Sequence, residues 1–366
     1  METLERDYTP KGVHFYYVYK ALAHPELNHY VQPFTLQERL MHVHEAERRL
    51  GSRIPWLADS MSNELKHAFG DVPNAEFVIG PDGLVLRRRA WSDPEALRHD
   101  LEELVGPVEH PTSVADLDMP VQPPYESVAR GIVPRLDRPA GMRGVRIQPN
   151  LEATDKPFYT KLRVEADRGV LTSGSGQLYI GFHLDPLYHM HWNNLAPPLQ
   201  FEISAPDGVT VTPAQATAPD PEADADADPR EFLLQVSGAG STDEPLGVSV
   251  LYYACDDANT FCVPVQQSYT VWLQPDVDAG STFGQRRGFG PGDRGRSLPG
   301  RARGDMRERL MRMDSNGDGL LTRDELPERM QQMFDRMDND GDGALDASEI
   351  DAMLESMGSM GRWRRS

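Results

Sequence analysis

The sequence predicts a multidomain protein of three parts: an α/β part, an all-β sandwich and an all-α pair of helix–loop–helix units. Strand-like and helix-like segments alternate up to residue 117, short strand-like runs follow one another between residues 145 and 276, and two acidic loops lie after residue 305. We therefore place the three parts at residues 1–117, 145–276 and 305–360, with linkers at 118–144 and 277–304.

Composition limits the possible partners. The 366 residues contain 37 Lys and Arg against 57 Asp and Glu, a formal net charge of −20. Phosphate groups are bound by surplus Lys and Arg, so a nucleic-acid partner is excluded for the chain as a whole and a cation is favoured. No run of eighteen apolar residues is present, and the sequence predicts no transmembrane segment.

The first part shows α/β patterning. Val13–Tyr19 is rich in aromatic and branched residues and predicts a strand, and 76–88 predicts a hairpin around Pro-Asp-Gly. Thr35 and Gly51 bracket a predicted helix, and a second helix is expected from Asp93 to Val105. His42, His44 and His67 lie on predicted helices, and we expect them at the surface or at the boundary of the core.

The middle part predicts an all-β sandwich, because its strand-like runs are short and separated by turns. The acidic run TAPDPEADADADPRE interrupts them and is expected to form an unstructured loop. The predicted strands are Phe158–Ala166, Gln177–Leu184, Leu199–Ser204, Phe232–Val236, Val248–Ala254 and Ser268–Leu273.

Two twelve-residue segments of the third part, DSNGDGLLTRDE and DNDGDGALDASE, place oxygen donors at alternate positions and a glycine midway. Ca²⁺ takes six to eight oxygen ligands, and a tight loop converges them when glycine supplies the sharp turn and a final Glu binds through both oxygens. The first loop offers Asp314, Asn316, Asp318, the Leu320 carbonyl, Thr322 and Glu325. The second offers Asp338, Asp340, Asp342, the Ala344 carbonyl, Asp346 and Glu349.

These loops follow the EF-hand pattern and predict two Ca²⁺ sites. The second loop supplies five carboxylates against three in the first, so we predict that it binds Ca²⁺ more tightly. Asp314 and Asp338 lie only twenty-four residues apart, which suggests one shared helix and loops about 20 Å apart rather than a face-to-face pair. Met330, Met333 and Met337 share a face of that helix with Phe334, and this face could bind a target or fill a small core.

Segments Phe15–Glu26 (FYYVYKALAHPE) and Pro73–Trp91 resemble iodothyronine deiodinases and related bacterial thioredoxin-like proteins. The resemblance covers residues 2–106 and implies an incomplete thioredoxin-like fold, with Pro73 at the cis-proline position. His24 matches the family, whereas Leu22 stands where the family has an acidic residue. The segment that carries the family's nucleophile is absent, so either the chain is truncated at its N-terminus, which we favour, or the domain is degenerate.

The hairpin around Cys255 and Cys262, with the segment GFHLDPLYHMHWNN, resembles the N-terminal immunoglobulin-like domain of the thiol:disulfide interchange protein DsbD. The resemblance implies a catalytic, redox-active cysteine pair and a periplasmic thiol–disulfide partner. Asp256 and Asp257 disfavour a thiolate at Cys255, so a structural disulfide stays open as the alternative. His183, His189 and His191 lie within nine residues and could bind copper or zinc or form hydrogen bonds at the sandwich edge.

Together these features predict calcium-ion binding by an exported, bacterial-type protein with redox-related domains. The alternative function is thiol–disulfide exchange, a possible enzymatic activity of a full-length form. The resemblance and the use of calcium outside the cytosol indicate a periplasmic or extracellular location, although the sequence shows no signal peptide.

Overall fold

The computed structural model describes residues 1–119, 122, 128–256, 261–280, 321–323, 331, 334, 344 and 345. The chain forms two compact units, Met1–Arg286 and Arg287–Ser366. None of the helices in the described part is long and apolar enough to cross a membrane.

The N-terminal part alternates helices and short strands, as the sequence predicts. Its helices and strands, in chain order, are α1 (Glu2–Tyr8), β1 (Tyr17–Tyr19), α2 (Leu36–Leu50), β2 (Trp56–Ala58), α3 (Glu64–Ala68), β3 (Glu76–Ile79), β4 (Val85–Arg89) and α4 (Pro94–Val105).

Local signals define α2. The Thr35 side chain accepts a hydrogen bond from the Glu38 N–H at 3.1 Å, and Gly51 ends the helix with a left-handed φ of 60°. Both ends agree with the prediction. His42, however, is buried within this helix, whereas His44 and His67 are exposed, so the expected surface or boundary position is wrong for His42.

The strands of this part form two separate two-stranded sheets. β1 pairs in parallel with β2, and β3 pairs antiparallel with β4, which confirms the predicted hairpin. Leu4 and Tyr8 of α1 pack with Leu97 and Leu101 of α4 in a small buried cluster. Among the described residues the cis peptide bond is Thr212–Pro213, so the expected cis-proline at Pro73 is wrong.

The middle of the chain is almost entirely β-sheet, which agrees with the predicted all-β part. Its elements are β5 (Arg143–Pro149), β6 (Thr160–Ala166), the short helix α5 (Arg168–Ser173), β7 (Gly176–Leu184), β8 (Met190–Asn193), β9 (Gln200–Ser204), β10 (Thr210–Thr212), β11 (Gln215–Thr217), β12 (Ala225–Asp226), β13 (Arg230–Ser237), β14 (Leu246–Asp256) and β15 (Cys262–Pro275).

The strands form a continuous sheet that bends at β5. The order is β10-β13-β7-β6-β5-β15-β14-β8-β12, and β9 pairs with both β14 and β11. Gly144 of β5 pairs with β6, whereas Val145 begins its pairing with β15. Because one cluster of buried apolar side chains includes residues from both halves, the two halves pack around a shared core.

The acidic run is ordered in part, so the expectation of an unstructured loop is wrong for its second half. Asp226 is fully buried in β12 and forms an ion pair with Arg230. The Asp228 carboxylate accepts hydrogen bonds from the backbone N–H groups of residues 131–133. Ion pairing and backbone donors offset the cost of burying these carboxylates.

β6 and β7 are buried on both faces, whereas a sheet face outside the core ordinarily meets water. Residues 21–34 and α2 of the N-terminal part lie against the second face, together with residues 130–138. The N-terminal part is therefore packed on the sheet through polar side chains and through Phe34, whose ring contacts Phe158 and Tyr269.

Candidate functional site

The C-terminal unit contains a short antiparallel pair between its two predicted loops. β16 (Leu321–Thr322) pairs with β17 (Ala344–Leu345), with Leu321 opposite Leu345 and Thr322 opposite Ala344. Thr322 and Ala344 are two of the predicted calcium ligands, at the ninth position of one loop and the seventh of the other. The expectation that the loops lie about 20 Å apart is therefore wrong, because their backbones are hydrogen-bonded to each other.

Two apolar side chains of this unit are buried. Leu345 and Phe334 are 2% and 3% exposed. The guanidinium carbon of Arg323 lies 5.1 Å from the centroid of the Phe334 ring. Burial of Phe334 favours the interpretation of the apolar helix face as core, although its methionines lie outside the described residues.

Ten of the twelve predicted ligands lie outside the described residues, so the coordination geometry is not described. They are Asp314, Asn316, Asp318, Leu320, Glu325, Asp338, Asp340, Asp342, Asp346 and Glu349.

Comparison with family models identifies this segment. An EF-hand model matches residues 306–328, and an EF-hand domain model matches residues 329–358. The C-terminal segment carries two EF hands. Their presence supports calcium binding, and each match contains one of the two predicted loops. No curated protein matches the chain at a significant level.

The cysteine pair lies at the end of the β14–β15 hairpin. Cys255 stands directly opposite Cys262, their Cα atoms are 4.1 Å apart, and the two residues form a disulfide. Cys255 is 1% exposed, whereas Cys262 is exposed to solvent. Cys262 is therefore the half of the disulfide that faces solvent, which favours it over Cys255 as the point where an external thiol attacks.

Polar residues surround the exposed sulfur. His191 of β8 is paired with Cys255 across the sheet, and the Asn193 side-chain amide lies 3.6 Å from the Cys262 sulfur. The Asp256 carboxylate accepts a hydrogen bond from the Phe261 N–H and ties the hairpin end together. Asp257, the other acidic residue expected to disfavour the thiolate, lies outside the described residues.

The three clustered histidines do not converge. His183 lies in β7, where it faces Glu26 and Glu231, while His191 lies in β8 and His189 just before it. A copper or zinc site made from all three is therefore not formed. Ligand atoms of His183, Glu26 and Glu231 do lie within 4.8 Å of one another, but Arg138 contacts both carboxylates at 2.7 and 2.9 Å. This arginine already supplies the positive charge that a metal ion would bring.

The Glu26 network is the largest feature that sequence reasoning missed. Glu26 has ion-pair contacts with Arg135, Arg138 and Arg163, at 2.9, 2.7 and 3.1 Å. Glu231 of β13 contacts Arg135 and Arg138 as well, so the arginines join the loop that carries Glu26 to the sheet. Only three-dimensional proximity brings these residues together, and no local spacing signals it.

Charge compensation controls ionisation in this network. Burial opposes the ionisation of Glu26, yet the positive charges of His183, when protonated, and of Arg138 hold its pKa well below the usual range. Burial likewise opposes ionisation of Glu231, but hydrogen bonds from Arg135 lower its pKa to about 2. Burial lowers the pKa of His183 to about 4, so this imidazole is neutral at neutral pH.

The network requires unusual backbone at two positions. Glu26 has a left-handed φ of 73°, which is costly for a residue with a Cβ and which its ion pairs must offset. At Gly181, a Cβ would lie 2.1 Å from the Tyr179 hydroxyl and 2.6 Å from His183 Nε2. Only glycine leaves room there for the two side chains to meet.

A second buried cluster joins α2 to the sheet. Lys161 of β6 is ion-paired with Glu38 and lies 3.7 Å from Asp185. Burial raises the pKa of Asp185 to about 6, against the attraction of Lys161. Behind them the Tyr19 hydroxyl lies 2.7 Å from His42 Nδ1, and burial lowers the pKa of His42 to about 4.

Proposed function

We propose that the chain binds two calcium ions, one in each EF-hand loop, and that the two loops bind as a coupled pair. The observation that carries this proposal is the antiparallel pairing of Leu321 with Leu345 between two loops that each match an EF-hand model. Each loop offers at least five oxygen-bearing side chains and one backbone carbonyl in the order that Ca²⁺ coordination requires.

Isothermal titration of the full chain with Ca²⁺, after chelator treatment, tests the proposal. Two ions should bind to the wild type, one to Glu325→Gln or to Glu349→Gln, and none to the double variant, because each change removes the bidentate carboxylate. Glu328→Gln and Glu355→Gln are matched controls outside the ligand positions and should still bind two. Two ions bound to the double variant would overturn the assignment.

A second candidate function is thiol–disulfide exchange at Cys255 and Cys262. The exposure of Cys262 beside a buried Cys255 favours it. A thiolate of a dithiol partner would attack the Cys262 sulfur, break the disulfide and release Cys255 as a thiol after protonation. The partner's second thiol would then resolve the mixed disulfide, so the partner is oxidised and the pair is reduced by two electrons.

The midpoint reduction potential of the pair separates this activity from a structural role. Thiol trapping in graded glutathione buffers should give a value near or above about −250 mV for an exchange-active pair and below about −300 mV for a structural one. Because the sequence contains two cysteines, a Cys255→Ser/Cys262→Ser variant should lose all thiol chemistry. We propose that residues 2–106 form a thioredoxin-like domain without its nucleophile. These residues contain no cysteine and would therefore contribute no thiol chemistry.

We also propose that the protein works in the periplasm or outside the cell. A disulfide persists in oxidising compartments, and EF-hand sites are filled constantly where calcium is abundant. When protein is taken directly from its native host, unfolded and treated with an alkylating reagent, neither cysteine should be modified, because both are held in the disulfide. Free thiols in that sample would contradict the location.

A further inference from the structure

A cleft of about 260 Å³ lies between the N-terminal part and the sheet of the first unit. Its walls come from the segment 21–34, α2, the turn before α3, strands β5 to β7 and residues 276–279. Neither cysteine of the disulfide is among its lining residues.

Arg39 is the unusual residue of this wall. Its side chain is 2% exposed and donates hydrogen bonds to the backbone carbonyls of Asp59 and Ser60. Its Nε has no hydrogen-bond partner, and among the described residues no carboxylate lies within ion-pair distance of the guanidinium. Burial lowers the pKa of Arg39 against the attraction of Asp59 and Asp278, which act from beyond that distance. A buried N–H that makes no hydrogen bond is costly, and such groups are ordinarily satisfied.

The other buried or half-buried lysine and arginine side chains of the cleft are ion-paired. Lys161 is paired with Glu38, and Arg163 with Glu26 and Glu165. Arg39 is therefore the cation of this wall that has no carboxylate in direct contact and an unused hydrogen-bond donor at Nε.

Acceptor groups lie close to Arg39. Asn63 is 4% exposed, and its Oδ1 has no hydrogen-bond partner. Its backbone N–H donates to the same Ser60 carbonyl that the Arg39 guanidinium contacts from α2, so the two residues meet at one acceptor. Asp276 also lines the cleft with a partly exposed carboxylate. Asp278, another acid of the lining, is held by Lys66 and His67 and accepts a hydrogen bond from the Asn63 side chain.

We propose that this cleft binds a small carboxylic acid that carries an amino or hydroxyl group, with the carboxylate at Arg39 and the donor at Asn63 and Asp276. The ligand supplies an acceptor to Arg39 Nε and a donor to Asn63 Oδ1, the two buried atoms that have no hydrogen-bond partner. The strongly negative net charge of the chain opposes an anion at long range, but salt at about 0.15 M screens charges beyond about 8 Å.

Titration of the full chain with alanine, lactate and propionate tests both the carboxylate contact and the donor contact. The three acids share the carboxylate and differ only in the amino group, hydroxyl group or hydrogen atom on the neighbouring carbon. Heats or chemical shifts should saturate with alanine or lactate at millimolar concentration, as expected for six-atom ligands, and propionate should bind about tenfold more weakly. Leucine and glutamine serve as larger probes of the same class. If none of the five saturates, the cleft contains water only and the proposal is wrong.

Two variants locate the binding. Arg39→Met should weaken binding of the best probe at least about tenfold, because it removes the cation. Asn63→Gly removes the acceptor and suits the left-handed φ of 56° at this position, so it keeps the fold and should abolish the preference over propionate. Arg49→Met, an exposed change on the same helix, should leave binding unchanged. Equal binding by wild type and Arg39→Met would overturn the assignment.

Discussion

Leu321 lies directly opposite Leu345, each at the eighth position of its EF-hand loop. The pairing fixes the neighbouring ligand residues as well, because Thr322 then stands opposite Ala344. If each loop binds calcium as we propose, an ion that orders one loop should also order the strand against which the other loop is paired.

The first prediction concerns the order and coupling of the calcium sites. Glu325→Gln should remove the weaker site and Glu349→Gln the tighter one, since the second loop has five carboxylates and the first has three. Each variant should also weaken the remaining site about fivefold or more, because a lost ion no longer orders the shared strand pair. Calcium titration of the full chain measures both effects. Unchanged affinity at the remaining site would show that the loops bind independently.

The second prediction concerns the Glu26 network. Glu26→Gln keeps the size of the side chain but leaves Arg135, Arg138 and Arg163 facing an uncharged group. Breaking a buried ion network in this way should lower the free energy of unfolding by about 3–5 kcal/mol. Chemical denaturation of the wild type and the variant measures the difference.

Glu47→Gln is the matched control for this prediction. Glu47 forms an exposed pair with His44 at 3.2 Å, so its loss should change the free energy of unfolding by about 0.5 kcal/mol or less. Equal effects of the two substitutions would show that the Glu26 network contributes no more than a surface pair.

The sequence was most informative where structure depends on local spacing. The two EF-hand segments, the cap of α2 at Thr35 and the hairpin at 76–88 all follow from residues close together in the chain. The approach of the loops was missed because the short separation of Asp314 and Asp338 was interpreted as one straight helix. The N-terminal part's strands were predicted, but their arrangement in two separate sheets shows only in the structure.

Long-range electrostatics could not be predicted. From sequence alone the acidic run is interpreted as exposed to solvent. No local pattern shows that Asp226 will be buried in an ion pair with Arg230, or that backbone N–H groups of residues 131–133 will donate to Asp228. Glu26 lies in a loop with no apolar periodicity, and its arginine partners lie more than a hundred residues away along the chain. Such contacts depend on the tertiary fold.

The third prediction concerns the disulfide. Reduction, or Cys255→Ala/Cys262→Ala, should lower the free energy of unfolding by about 2.5 kcal/mol, the chain-entropy effect of closing so short a loop. In the single variants, Cys255→Ala should leave a thiol at Cys262 that reacts rapidly with a thiol reagent, whereas Cys262→Ala should leave Cys255 protected by burial. Equal reaction rates would contradict the difference in exposure and with it the proposed point of attack.

The fourth prediction concerns acid. His42 and His183 have pKa values of about 4 when folded, against 6.5 ordinarily, so between these values the unfolded chain binds protons that the folded chain does not. Stability should therefore fall as pH decreases from about 6.5 to 4, by at most about 3 kcal/mol per histidine. Asp185 acts in the opposite direction, because its raised pKa of about 6 makes the folded state bind the extra proton between pH 6 and 4. Below pH 4.5, Glu231, with a folded pKa of about 2, causes a further loss.

Denaturant titrations of the wild type from pH 7 to 3, with His42→Gln and His183→Gln alongside, measure these contributions. Each glutamine variant should be less stable at neutral pH if it loses packing, but its stability should fall less steeply between pH 6.5 and 4, because one proton-binding group has been removed from the unfolded chain. The change in slope, unlike the change in stability at one pH, reports the titration of the histidine itself. Slopes identical to that of the wild type would show that neither buried imidazole resists protonation, and the acid sensitivity would then belong to the carboxylates alone.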